Sequence, residues 1–173
     1  MRILITPGQI QERLSELARE IAPQYQDRPL TIVGVLTGSL MFVADLVRRL
    51  EVPLRIGLIQ ASSYRGKTTP GELHLGAEIL SDVRGRHVLL LDDILDTGQT
   101  LSHLVRHMHE QGALSVRVGV LLRKQGRQVH AVNVDFVGFE IPDEFVVGYG
   151  LDFNDEYRHL PHVAVLPREM YEK

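Results

Sequence analysis

The chain has 173 residues, enough for one compact domain with a sizeable core. Hydrophobic residues make up 44% and charged residues 24%, a balance that argues against disorder along most of the length. A net charge of −3 gives no global attraction to nucleic acid or an anionic membrane, and the absence of cysteine excludes disulfides and thiolate zinc sites.

Residues 1–14, MRILITPGQIQERL, hold one early Arg and a short apolar run soon broken by polar residues, which is not the pattern of a signal peptide. No stretch approaches ~18 apolar residues, so no membrane span is expected and the cytoplasm is the expected location. Thr6-Pro7-Gly8-Gln9 reads as a helix start. Thr6 can cap, Pro7 suits the first helical position and Gln9 can close a capping box. Ile10, Leu14, Leu17, Ala18 and Ile21 then recur at helical spacing, and Pro23 is the expected stop.

Thr31 to Leu36 is a short β-branched apolar run, expected as a buried strand. Thr37-Gly38-Ser39 breaks it, and a helix is expected over Leu40 to Leu50. That helix lacks a fully polar face because Met41 and Phe42 are extra apolar residues, as in a subunit interface or a helix buried between layers. Arg48 and Arg49 near its end complement the helix dipole. Pro53 to Ala61 reads as another strand. Ser62 to Glu72, with two Gly, one Pro and almost no apolar side chain, reads as a surface loop, and His74 to Leu80 as a returning strand.

Val88 to Leu91 is a continuous apolar run, expected for a central parallel strand covered on both faces. Asp92 to Thr100 follows, then a helix to about Gly112 and a strand over Ser115 to Leu122. Shorter elements are expected over Val134 to Ile141, Phe145 to Tyr149 and Val163 to Leu166. Strands alternating with helices predict an α/β fold: an open, mostly parallel sheet flanked by helices, with the last third as an attached hood.

Ligands of open α/β sheets sit beyond the carboxyl ends of the strands. Two such ends, Leu36-Thr37-Gly38-Ser39 and Asp92 to Thr100, place Gly and hydroxyl residues between strand and helix. Amides exposed there, with the helix dipole behind them, form a phosphate site. In Asp96-Thr97-Gly98-Gln99-Thr100, Gly98 admits close backbone approach and the two threonines add hydroxyl donors. Asp92 and Asp93 need a different partner, because carboxylates repel phosphate. Vicinal ribose hydroxyls are such donors, so a sugar phosphate satisfies both halves of the motif. An Asp pair after a buried strand also occurs in magnesium sites of receiver domains and hydrolases, or as a helix cap.

VLLLDDILDTGQTL resembles the phosphoribosyl-diphosphate signature of type I phosphoribosyltransferases. VDFVGFEIPDEFVVGYGLDFNDEYRHLPHVAVL resembles the base-binding hood of their hypoxanthine-guanine branch, and the similarity covers roughly residues 5 to 168. The resemblance implies one domain, with a core over about 1–125 and a hood over about 126–173 plus the N-terminal segment. It implies transfer of phosphoribosyl from 5-phosphoribosyl 1-diphosphate to hypoxanthine or guanine, with magnesium, in a homodimer or homotetramer. Asp92 and Asp93 would hold the ribose hydroxyls directly or through the metal. Asp96, Thr97, Gly98, Gln99 and Thr100 would wrap the 5′-phosphate, with Asp96 also the acid/base at purine N7. Leu36, Thr37 and Gly38 match the pyrophosphate loop, whose peptide before Thr37 is a candidate for a cis or a strained bond, and Arg158 would pair with pyrophosphate. Ser63 and Tyr64 match the closing loop. Lys124 would reach the 6-oxo group, Phe145 would stack on the ring, and Val146 would offer backbone contacts. Asp152 would bind a second magnesium.

Two positions depart from the common pattern. Many relatives carry Glu where Asp92 stands, and Lys or Arg where Thr37 stands; Arg65 and Lys67 are candidates to compensate. Rival readings are a xanthine-preferring enzyme and an RNA-binding attenuator on the same scaffold, against which the acidic net charge argues. His103 and His107 have metal-compatible spacing, but no third ligand type accompanies them. His159 and His162 are expected at the surface, and Tyr149 and Tyr157 in hood packing.

Overall fold

The computed structural model describes residues 1–60 and 82–171. The loop expected over 62–72, with Ser63, Tyr64, Arg65 and Lys67, and the strand expected over 74–80 lie outside the described residues. The chain begins with strand β1 (Arg2–Ile5) and helix α1 (Pro7–Ile21). The Thr6 hydroxyl accepts from the Gln9 amide (3.3 Å) and the Gln9 side chain accepts from the Thr6 amide (2.8 Å), with Pro7 in the first turn. The capping box thus forms as the residue types require. All five predicted core positions of α1 are buried. The helix stops at Ile21, and Pro23 falls inside a following turn of 3-10 helix over Ala22–Tyr25.

Strand β2 (Leu30–Leu36), helix α2 (Leu40–Val47) and strand β3 (Leu54–Gln60) come next. Then follow β4 (His87–Leu95), α3 (Gln99–Glu110), β5 (Ser115–Lys124) and β6 (Phe136–Ile141). Strands β7 (Val146–Val147) and β8 (Val163–Val165) complete the described elements. The expected α/β architecture is present. Five strands lie parallel in the order β3-β2-β4-β5-β6, and β1, β8 and β7 form a separate antiparallel sheet. Residues from both ends of the chain therefore build the second sheet.

Side chains alternate across the parallel sheet, and each face has its own core. Ile32, Leu89 and Leu91 join α1, α2, Val146 of the second sheet, and Tyr149 and Leu151 of the segment that follows it. Val33, Val35, Val88 and Leu90 pack with Leu101, Leu104 and Met108 of α3. The same alternation continues past Leu91. Asp93 falls on the face shared with the second sheet, and Asp92 on the α3 face.

The apolar run marks the strand end at Leu91, but β4 runs on to Leu95, because β5 keeps pairing with it. Asp92 lies opposite Val120, and Leu95 opposite Arg123. The two carboxylates are thus inside the strand's last turn and not beyond it.

Helix α2 has Phe42, Val43 and Leu46 buried, while Leu40 and Met41 remain 41% and 37% exposed. Arg48 Nε and Arg49 Nη1 donate to the carbonyls of Ala44 and Asp45 at 2.8 and 2.7 Å, as basic residues at a helix end do. Tyr149 docks the second sheet onto this helix by donating from its hydroxyl to Asp45 Oδ2 (2.6 Å). Burial would raise the Asp45 carboxyl, but hydrogen bonds from Tyr149, Gln11 and Arg48 outweigh it and hold the group below the usual carboxylate range. The Tyr149 phenol is pushed far up by burial and by the Asp45 charge. Tyr149→Phe removes a charge-assisted bond and is expected to cost about 1–2 kcal/mol. The loss should lower the urea midpoint at constant slope, and an unchanged midpoint would show that the bond adds nothing to docking.

Candidate active site

Strand β4 and the turn after it hold the acidic residues. The Asp93 amide donates to Asp92 Oδ1 (2.9 Å), and the Ile94 amide to Asp93 Oδ1 (2.8 Å), which fixes both carboxylates against their own backbone. Burial, followed by the neighbouring Asp93 charge, pushes Asp92 well above the usual carboxylate range. Asp93 is also raised by burial, against the pull of its hydrogen bonds and of the Arg158 charge. A buried carboxyl beside a half-buried one calls for a cation or for hydrogen-bond donors from outside.

Past Leu95 the chain turns into α3 through Thr97 and Gly98. Gly98 sits at φ +84°, in the left-handed region, and a Cβ there would come within 2.9 Å of the His130 carbonyl. The Thr97 carbonyl accepts from the amides of Val129 and His130, both at 2.9 Å. The 126–133 segment therefore braces the turn from outside, and the α3 N-terminus with its dipole is of the kind that can accept an anion.

The Leu36–Thr37 peptide is cis, as the resemblance implied. The following Gly38 lies directly against the Asp93 carboxylate: a Cβ on Gly38 would overlap Asp93 Oδ2, and a Cβ on Gly150 would overlap the Gly38 carbonyl. This contact brings the β2 loop, the β4 acid and the second-sheet segment together. Arg158 reinforces it, donating to the Gly150 carbonyl (2.8 Å) and pairing with Asp152 (2.9 Å).

Asp93, Asp96, Lys124, Phe145, Val146 and Asp152, all singled out in the sequence, line one cavity of about 210 Å³ together with Ile94 and Leu151. Residues up to 59 positions apart are thereby gathered at the carboxyl ends of β4 and β5. Asp92 is buried and does not line this cavity. Ser63 and Tyr64 lie outside the described residues.

A chain of opposite charges follows the rim. Asp96 pairs with Arg127 Nε (2.9 Å), Arg127 lies 3.7 Å from Asp143, and Asp143 is 3.3 Å from Lys124 Nζ. The Asp96–Arg127 pair is partly exposed, so it is weak and readily exchanged. Phe145 stacks on Tyr171 (centroids 4.9 Å apart, planes at 25°) and meets Phe153 edge-on at 5.8 Å. Such packing fixes the ring before any ligand arrives. Sequence reading missed Arg127, Asp143, Ile94, Leu151 and Tyr171. Arg127 carried one weak signal, a cation three residues after Lys124; Tyr171 carried none.

Among the described residues, no three His, Asp or Glu side chains converge as a metal cage, and His103 and His107 find no third ligand. The donor set does fit a magnesium ion that keeps most of its oxygens from substrate and water, since that ion is commonly bound by one or two carboxylates. Asp93 is poised for it. Asp152 already accepts from Arg158 and from the Asp155 amide (2.9 Å), and has lone pairs to spare.

A phosphoribosyl transferase domain model matches residues 6–154. The hypoxanthine-guanine phosphoribosyltransferase of Bacillus subtilis is 40% identical over 172 residues, covering 99% of this chain and 96% of its own length. The bifunctional protein TilS/HprT of Listeria innocua is 40% identical over 98% of this chain, which spans only 26% of that longer protein. A hypoxanthine phosphoribosyltransferase from Staphylococcus aureus superposes with a TM-score of 0.93 at 37% identity, covering 100% of this chain and 95% of its own. With matches of this extent to both sequence and fold, the chain belongs to the phosphoribosyltransferase family.

Proposed function

We propose that the protein is a purine salvage enzyme that transfers phosphoribosyl from 5-phosphoribosyl 1-diphosphate to hypoxanthine or guanine, releasing diphosphate. The observation that carries this reading is the shared cavity. Asp93 and Asp96, beside the anion turn of α3, face Lys124, Phe145 and Val146 from elsewhere in the chain. The names of full-length relatives and of the Staphylococcus structure support the same activity. We place it in the cytoplasm, where phosphorylated sugars are retained.

In this reading the amides and hydroxyls of Thr97 to Thr100 hold the 5′-phosphate, assisted by the α3 dipole. Asp93 accepts hydrogen bonds from the ribose hydroxyls, with the Asp92 carboxyl buried behind it. Leu36, Thr37 and Gly38 present backbone to the diphosphate, and Arg158 turns from Asp152 to its oxygens. Phe145, already stacked on Tyr171, offers its other face to the purine. Lys124 donates to the 6-oxo oxygen, which an adenine amino group cannot accept, so 6-oxopurines are favoured. Val146 contributes backbone contacts. As N9 bonds to C1′ and the C1′–diphosphate bond breaks, the N7 proton passes to Asp96, released from Arg127. Magnesium, held by Asp93 and Asp152 with Asp92 behind them, would neutralise the departing diphosphate. Closure over Ser63 and Tyr64 would exclude water.

The reading also includes one domain, core about 1–125 and hood about 126–173 with the N-terminal strand, acting as a homodimer or homotetramer. Exposure of Leu40 and Met41 on α2 supports self-association through that helix.

Steady-state assays of adenine, hypoxanthine, guanine and xanthine with the phosphoribosyl donor and magnesium test the activity. Turnover with hypoxanthine or guanine is expected, and turnover with none of the four would overturn the reading. For Asp96→Asn, kcat should fall by about 10²–10⁴-fold with donor affinity nearly kept, the size expected of a lost proton acceptor. Equal losses in both would remove that role. Lys124→Ala should raise KM for the base about 10- to 100-fold, corresponding to one lost charged hydrogen bond. An unchanged base KM would refute the contact.

A further inference from the structure

A second cavity lies at the opposite end of the parallel sheet. It has a volume of about 440 Å³ and is lined by Asp27, Arg28, Pro29, Pro53, Leu54, Arg55 and Arg86. These residues sit at or just before the first residues of β2, β3 and β4. The seven residues of β2 separate this end from Thr37, roughly 20 Å at ~3.3 Å per residue. The reaction described above uses none of them.

Three arginines and one aspartate line this space, an excess of two positive residues over negative ones. Arg86 is the fixed member. Its Nε donates to Thr31 Oγ1 and its Nη2 to the Leu30 carbonyl, both at 2.7 Å. Both acceptors are uncharged and belong to fully buried residues. The side chain is therefore held rigidly at the cavity wall, with no partner for Nη1 among the described residues and its charge not neutralised by these bonds. Among the described residues, none of the three arginines forms an ion pair with a carboxylate. Partial burial, followed by the charge of Arg55, makes the Arg86 cation less stable than in water.

Tying the β2 and β4 strand starts together explains why Arg86 bonds to Leu30 and Thr31. It does not explain why Arg55 and Arg28 approach the same space, since like charges repel and each exposed side chain is free to turn away. A multiply charged anion resolves this. The planar fork of a guanidinium suits phosphate oxygens, a preset Arg86 lowers the ordering cost, and the cavity volume is that of a small-molecule site.

We propose that this cavity is a second anion site, distinct from the α3 turn, that binds a small phosphate-bearing ligand through Arg28, Arg55 and Arg86. Inorganic phosphate and diphosphate are its simplest probes. Amide nitrogen–proton spectra of the full chain, recorded at low ionic strength, report both sites in one titration. Leu30, Arg55, Arg86 and His87 belong to the proposed site, and Gly98, Gln99 and Thr100 to the α3 turn.

Addition of inorganic phosphate should produce saturating shifts at the first group. In the double variant Arg28→Gln/Arg55→Gln, which alters only exposed side chains, half-saturation there should rise at least about fivefold, the loss of roughly 1 kcal/mol. Half-saturation at Gly98 to Thr100 should not change, and neither should turnover of the preferred purine. Shifts at the first group that fail to saturate, that sodium chloride reproduces at equal ionic strength, or that persist unchanged in the double variant would overturn the proposal. The purine assay decides the active-site reading separately, so failure of one leaves the other standing.

Discussion

At Gly38 three distant parts of the chain meet with no space for a side chain. The β2 loop presents backbone, β4 presents the Asp93 carboxylate, and the segment before β8 presents Gly150. The geometry of the cleft follows from this contact. Parallel pairing of β2 with β4 sets the two loops side by side. The loop can then approach the acid closely only if residue 38 lacks a Cβ. Gly150 carries the constraint toward the second sheet, where Val146 and the adjoining Phe145 lie just upstream. Base-side residues are thus positioned relative to the acids by backbone against backbone, a far stiffer reference than a pair of long side chains.

The charged rim is the opposite kind of structure. Asp96, Arg127, Asp143 and Lys124 form a chain of exposed or partly exposed pairs that costs little to rearrange. It gives Asp96 and Lys124 partners, so neither is an isolated charge. A bound purine and sugar phosphate would replace those partners with better ones in a drier setting, where each hydrogen bond counts for more. Stiff backbone beneath and exchangeable ion pairs above let the site be preformed in shape without being closed by its own charges.

Much of this was legible in sequence because the signals were local. The capping box at Thr6, the five-residue stripe of α1 and the Gly98 turn each depend on neighbours within a few positions, and each formed as read. The signature resemblance supplied six of the cavity's eight lining residues. What escaped depends on distant partners. Strand β1 is four residues long and exists because β8, more than 150 positions later, pairs with it. The element expected over Phe145 to Tyr149 is a strand only at Val146 and Val147, the two residues that pair with β8. Tyr171 is an unremarkable tail residue until Phe145 is placed beneath it. The continuation of β4 beyond Leu91 was hidden for a related reason. Pairing with β5 holds Asp92 in the ladder although its side chain belongs to no apolar pattern.

The departure at Thr37 gains meaning from the charges around Asp93. Where many relatives would place a cation, this chain has a threonine, and Arg158 is the cation that acts on Asp93 among the described residues. Arg158 is not idle, since it bonds the Gly150 carbonyl and Asp152. On the proposed reading, one guanidinium must both hold the second-sheet segment to the β2 loop and meet the diphosphate. The two duties are compatible because Nη1 serves the Gly150 carbonyl while Nη2 serves carboxylates, and only the second interaction must change when a more highly charged partner arrives. Asp152, once released, would become available to a metal accompanying that partner. On that reading, exchange at a single nitrogen would free a carboxylate for magnesium as it engages the leaving group, without disturbing the backbone contact at Gly38.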